Sequence, residues 1–127
     1  MKLFDYATVN TEKASGITDV GDVFEQLVTM TTPDLPAGEY MIGFSWEANF
    51  NEQKNQPFET QFTGTFAGAI YSDSVGDNDV GIKTRMYGFP KIWAGGVITL
   101  GLQGRKSGSF SAQLDMDYID VMVKRIG

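Results

Sequence analysis

The sequence predicts an all-β chain folded as an antiparallel β-sandwich. Three observations carry this expectation. Apolar residues recur at every second position in several segments, most clearly over 39–50. Gly, Pro, Asn and Asp interrupt the chain at intervals suited to short strands, and no long segment has the 3.6-residue period of an amphipathic helix. Two of the alternating runs open on an Ala-Gly pair, Ala37-Gly38 and Ala94-Gly95, and each Gly is expected to supply the positive φ of a tight opening turn.

The first 21 residues scatter Leu3, Phe4, Tyr6, Val9, Ile17 and Val20 among polar and small neighbours, with no sustained period. This segment, 1–21, reads as an N-terminal arm. Leu3, Phe4 and Tyr6 suit a docked segment better than a solvated tail, either as an edge strand on the domain's own sheet or on a neighbouring subunit. The sandwich domain then occupies 22–127. Its first strand is expected over 22–32, where Val23, Phe24, Leu27, Val28 and Met30 precede Pro33 and Pro36.

In 39–50, Tyr40, Ile42, Phe44, Trp46, Ala48 and Phe50 share one face, and Glu39, Ser45, Glu47 and Asn49 fall between them. That is a half-buried strand with the aromatic face inward. A polar loop over 51–57 follows. Next, Phe58, Phe62, Phe66 and Ile70 share a parity with Thr60, Gly64 and Gly68, which reads as one strand whose glycines leave room for an opposing sheet. An acidic loop is expected over 72–79.

Beyond it, Val80, Ile82 and Met86 alternate with Gly81, Lys83, Arg85 and Tyr87, and Gly88-Phe89-Pro90 reads as the strand's end. Ile98, Leu100 and Leu102 form the next apolar face, with 104–109 as a basic, flexible hairpin loop. In the last segment Leu114, Met116 and Tyr118 share one parity while Ile119, Val121 and Val123 share the other. A β-bulge or twist near 117–119 would reconcile them. The count is seven or eight strands, as in a sandwich or a jelly roll.

Composition closes several function classes. The 127 residues suffice for one domain, and Gly, at 15 residues, exceeds the ~7% average. Sixteen acidic against ten basic residues leave a net charge of −6, which argues against nucleic acid as a partner. There is no Cys and no His, so disulfides, thiol nucleophiles, the usual neutral-pH base and the common zinc ligand are all missing. No stretch approaches the ~20 apolar residues of a membrane span, and the chain is expected to be soluble.

The acidic residues Asp73, Asp77, Asn78 and Asp79 could offer oxygens to a hard cation, but their spacing is not that of a calcium loop, and turn geometry explains them more simply. Asp115, Asp117 and Asp120 read as exposed strand charges. The pairs Arg105-Lys106 and Lys124-Arg125 are too short for a nucleic-acid patch. No catalytic residue, metal or cofactor is expected. Trp46 should be core, whereas Phe89 and Trp93, flanking Pro90, could form an apolar end surface for another subunit.

Three passages, 35–42, 92–100 and 119–127, together resemble the small jelly-roll, tumour-necrosis-factor-like virion proteins of tailed bacteriophages, among them head decoration or cement proteins. The resemblance implies a jelly-roll β-sandwich without catalytic residues, assembled as a homotrimer on the capsid surface against the major capsid protein or other virion proteins. Leu3, Phe4, Tyr6, Phe89 and Trp93 are then the candidate assembly contacts. The alternative is a receptor- or glycan-binding head of a fibre or baseplate, for which Trp93, Tyr87 and the 49–56 loop would form the groove.

Overall fold

The computed structural model describes residues 9–50, 56–75, 81–107 and 113–127. Among them are eight strands and no helix: β1 (Val9–Ile17), β2 (Glu25–Thr31), β3 (Gly38–Phe50), β4 (Gln56–Gly64), β5 (Ile70–Val75), β6 (Gly81–Trp93), β7 (Thr99–Lys106) and β8 (Leu114–Arg125). They form two antiparallel four-stranded sheets, ordered β1-β8-β3-β6 and β2-β7-β4-β5. Only β4 and β5 are neighbours both in sequence and in a sheet; every other connection crosses from one sheet to the other. That winding is the jelly roll.

The residues grouped as an arm contribute β1, which pairs with β8 from Val9↔Lys124 to Ile17↔Met116 and so forms an edge strand of the domain's own sheet. Ala14 and Ile17 pack on the core and Val20 is fully buried. Leu3, Phe4 and Tyr6 lie outside the described residues.

The inward row of β3 is as the alternation predicts: Tyr40, Ile42, Phe44, Trp46 and Ala48 are all buried. Facing them in the same core are Phe58 and Phe62 of β4 and Leu100 and Leu102 of β7, while Leu114, Met116, Ile119, Val121 and Val123 of the neighbouring β8 lie beside them. The change of parity in β8 is a bulge. Glu47 pairs with Tyr118 but Ala48 pairs with Met116, so Asp117 is the extra residue, and it keeps both halves of β8 apolar-inward.

The two Ala-Gly openings lie against each other. Leu35 and Gly96 exchange backbone hydrogen bonds of 2.9 Å in each direction. Gly95 and Gly96 hold φ of +109° and +118°, as expected of an opening turn, whereas Gly38 is not in that region. Gly38 serves proximity instead: a Cβ there would stand 2.8 Å from the Gly127 carbonyl oxygen. Tyr40 locks the first opening by donating from its hydroxyl to the Pro36 carbonyl at 2.7 Å.

Four expectations are corrected. Residues 58–70 are not one strand: β4 ends at Gly64, a turn spans 65–68, and β5 begins at Ile70, with Gly64 at φ +89° and Gly68 at φ +139°. Their glycines therefore shape a turn instead of making room for a facing sheet. Gly88-Phe89-Pro90 does not end β6, which runs on to Trp93; among the described residues β6 is a sheet edge bonded only to β3, and an edge strand accepts a proline. Finally, Arg105 and Lys106 belong to β7, not to a loop, and Val23 is exposed ahead of β2.

Toward the Leu35 end the pairing of β2 with β7 is continued by a polar contact. Buried Thr32 accepts from the Ile98 backbone N–H at 3.0 Å through Oγ1 and donates the same hydroxyl to the Pro33 carbonyl at 2.8 Å. Thr32→Val keeps the shape and leaves the Ile98 N–H unpaired, so urea denaturation should show a loss of about 1–3 kcal/mol.

Candidate functional site

Because β3 buries its even-numbered side chains, Glu39, Met41, Gly43, Ser45 and Glu47 face outward. The register sets their neighbours. Met41 stands opposite Pro90 of β6 and Lys124 of β8, Gly43 opposite Gly88 and Met122, and Ser45 opposite Met86 and Asp120. At the centre, two adjacent strands carry no side chain at all. The result is a trough of about 420 Å³ with Met41, Met86 and Met122 as walls and Asp120 at one end. It cannot be filled from Gly43, since a Cβ there would lie 2.8 Å from the Tyr87 carbonyl oxygen.

Asp120 is held on one side only. Its Oδ2 accepts from the Tyr118 hydroxyl at 3.2 Å, while Oδ1 is buried and has no hydrogen-bond partner. Lys13 lies opposite Asp120 on β1, yet its ammonium sits over the Tyr118 ring, 5.6 Å from the centroid. Trp46 Nε1 and Thr60 Oγ1 are likewise buried without partners, but both lie in the core.

Beside the trough the outer side of β6 is apolar, although Glu39, Glu47 and Lys124 share the sheet face. Met86 is 79% exposed and Ile92 73% exposed, with Pro90 exposed between them along β6. An antiparallel sheet with one wet face ordinarily places polar residues there, and a contiguous apolar strip on a sheet face marks a contact surface.

The inward face of β6 carries aromatic rings instead. Tyr87 meets Phe44 and Tyr71 at ring-centroid distances of 5.2 and 4.8 Å, Phe89 meets Phe62 edge-on at 5.9 Å, and Phe66 bridges Phe89 and Trp93 at 6.0 and 5.8 Å. This ladder closes the sandwich between its edge strands β5 and β6. Buried Asp73 of β5 accepts the Tyr87 hydroxyl at 2.9 Å to either carboxylate oxygen.

The candidate residues separate accordingly. Phe89 and Trp93 are half-buried members of the ladder, and Trp93 Nε1 donates to the Gly96 carbonyl at 3.2 Å. Tyr87, assigned by alternation to the polar face, points inward, and Met86, assigned inward, points to solvent. Asp73 belongs to β5; Asp77, Asn78 and Asp79 lie outside the described residues, as does 51–55 of the glycan-groove loop. Among the described residues no three acidic groups come together as a metal site. Asp115 caps the chain by accepting from the Asp19 N–H at 2.9 Å, and Asp117 is the exposed bulge residue. Arg105 pairs with Glu59 at 2.8 Å and covers the Phe24 ring at 4.2 Å.

Alternation alone missed Met41, Gly43, Met86 and Met122. The available signal was a gap: the polar face of β3 lapses at Met41 and Gly43, and β8 has an apolar residue, Met122, on its polar side.

No protein-family model matches the chain, and no curated protein sequence does. Solved structures match its fold. A chain of infectious bursal disease virus, Gx strain, superposes with a TM-score of 0.54 at 13% identity over 94% of this chain and 33% of that one. The vertex protein P5 of PRD1 superposes at 0.52 and 9% identity, covering 94% of this chain and 96% of that one. A dimeric latent PorU from Porphyromonas gingivalis gives 0.50 at 17% identity over 96% of this chain but only 13% of that much longer one. At these identities the matches show the fold, a jelly roll, and nothing further. The virion-protein resemblance in the sequence is thus met at the level of fold.

The Tyr87 hydroxyl bond tests the closure at the β5–β6 side. Tyr87→Phe keeps the ring contacts and removes a charge-assisted hydrogen bond to a buried carboxylate, so thermal or urea unfolding should register a loss of about 1.5–3 kcal/mol.

Proposed function

We propose that this domain is a non-enzymatic structural subunit of a virus particle, a jelly-roll protein that self-associates as a trimer and attaches to the capsid surface as a decoration subunit. The observation that carries this reading is the apolar strip of Met86, Pro90 and Ile92 on the outer face of β6, beside Met41 and Met122. Assembly covers such a strip and stabilises the folded subunit by mass action. The likeness to the PRD1 vertex protein, which spans nearly the whole of both chains, supports the same reading. So does a sequence without His or Cys, the residues that most often carry acid–base and nucleophilic chemistry.

In this role the major capsid protein is the natural second partner, and the domain works by persisting in place. The ladder residues Phe89 and Trp93 support the strip from beneath, since they share β6 with Ile92. A glycan-binding role has less support: Tyr87 and Trp93, the rings it would need outward, face the interior.

Sedimentation velocity on the purified chain should show a trimer. Ile92→Lys, placed opposite Glu39 where the new cation has a partner, should leave the fold within ~0.5 kcal/mol of the parent and weaken self-association at least about tenfold. Saturable attachment of the parent protein to undecorated capsids completes the test. A chain that stays monomeric at high concentration and ignores capsids overturns the proposal, and saturable binding to a glycan array would replace it.

A further inference from the structure

We propose that the methionine trough is a receptor for one basic side chain, lysine or arginine, presented between apolar residues on a docked protein segment. This deepens the reading of the outer sheet face as a contact surface and rests on it. The trough is a built concavity: Gly43 and Gly88 clear its floor and Met41, Met86 and Met122 form its walls. Its volume of about 420 Å³ accommodates a long side chain with its immediate neighbours.

The walls and the end of the trough ask for different chemistry. Three unbranched thioether side chains make an adaptable apolar sleeve, which suits the methylene stem of lysine or arginine. Asp120 lines the trough; its Oδ1 is shielded from solvent and accepts no hydrogen bond, so a docked donor reaches it when the carboxylate turns toward the trough. A shielded acceptor of that kind gains most from a charged donor. The second oxygen is already engaged by the Tyr118 hydroxyl, so the site offers one point of attachment and selects charge with an apolar stem. Lys13, the nearest cation across β1 and β8, is drawn to the Tyr118 ring.

Electrostatics at longer range point the same way. The chain carries a net charge of −6, which repels an acidic segment and draws a basic one toward the surface. An uncharged apolar segment would bury the methionines but leave Asp120 Oδ1 without a donor.

The methionines also provide the readout. With ¹³C-methyl methionine, Met41, Met86 and Met122 report on the trough, while Met30 and Met116, both buried in the core, report on the fold. The probes are the tripeptides acetyl-Leu-Arg-Leu-amide and acetyl-Leu-Lys-Leu-amide, against the same peptide with Glu or norleucine at its centre. They are titrated into the full chain and into the Ile92→Lys chain, whose substitution lies outside the trough and frees the face from self-association.

The Arg or Lys peptide should shift Met41, Met86 and Met122 saturably and leave Met30 and Met116 in place. The Glu peptide should produce no saturable shift, and the norleucine peptide should bind at least about tenfold more weakly. Asp120→Asn should erase the preference for the basic peptides while the Met30 and Met116 signals stay native. Equal shifts from the Glu peptide, no saturable shift from either basic peptide, or an Asp120→Asn chain that still prefers them would each overturn the proposal. A monomeric parent chain with saturable, Asp120-dependent shifts would overturn the self-assembly reading alone, and a trimer whose freed trough ignores the basic peptides would overturn this one alone.

Discussion

The edge-on contacts of Trp46 with Phe58 and of Phe44 with Phe62, at 4.7 and 5.1 Å between ring centroids, join β3 of one sheet to β4 of the other. Each of these side chains is almost completely buried, and burial of a large apolar side chain is worth about 1.5–3 kcal/mol before the ring contact is counted. Since a strand alternates strictly, placing these rings inward commits every other residue of β3 as well. A slip of one residue would bring Met41, Gly43 and Glu47 into the core and turn Trp46 to water. The register of β8 follows from that of β3, and the Asp117 bulge lets two runs of opposite parity face the same core. The outer face of the sheet is therefore what the core leaves over, and apart from Gly43 its composition is not set by the core.

That freedom makes the methionines and glycines on the outer face informative. Polar residues at positions 41, 86 and 122 would serve a solvated sheet equally well. Gly43 differs, because the Tyr87 carbonyl closes the space a side chain needs, so a floor without side chains is built into the pairing of β3 with β6. A burial-driven argument thus accounts for the inside of this sheet and strand pairing for Gly43, which leaves the outward methionines to the contact proposed above.

The parts legible in sequence were those where one local period decides the answer. The inward rows of β3 and β7 and the parity change in β8 follow from alternation, and the structure returns each of them. The β4–β5 hairpin was hidden because its turn preserves the even spacing from Phe58 through Phe62 and Phe66 to Ile70, so Gly64 read as packing space when its backbone needed a positive φ. The orientation of β6 was hidden for a different reason. Met86 and Tyr87 are both apolar enough to be buried, and the choice falls to Phe44 and Tyr71, which offer ring partners to Tyr87 from distant parts of the chain. The trough inherits that ambiguity, since two of its members, Met86 and Gly88, are β6 residues.

Strand β6 thus carries apolar groups on both of its described faces: Tyr87, Phe89 and Trp93 inward, Met86, Pro90 and Ile92 outward. A central strand of a parallel sheet has this character because helices cover both of its faces; an edge strand of a two-sheet sandwich has cover on one face only. The edge also presents unpaired backbone groups, which makes such a strand prone to uncontrolled pairing. Pro90, lacking an N–H, interrupts that template within the strip itself and so discourages another strand from adding to the sheet. Side-chain contact across the face remains open while backbone pairing along the edge is impeded. A surface with that combination favours docking onto the sheet face over extension of the sheet.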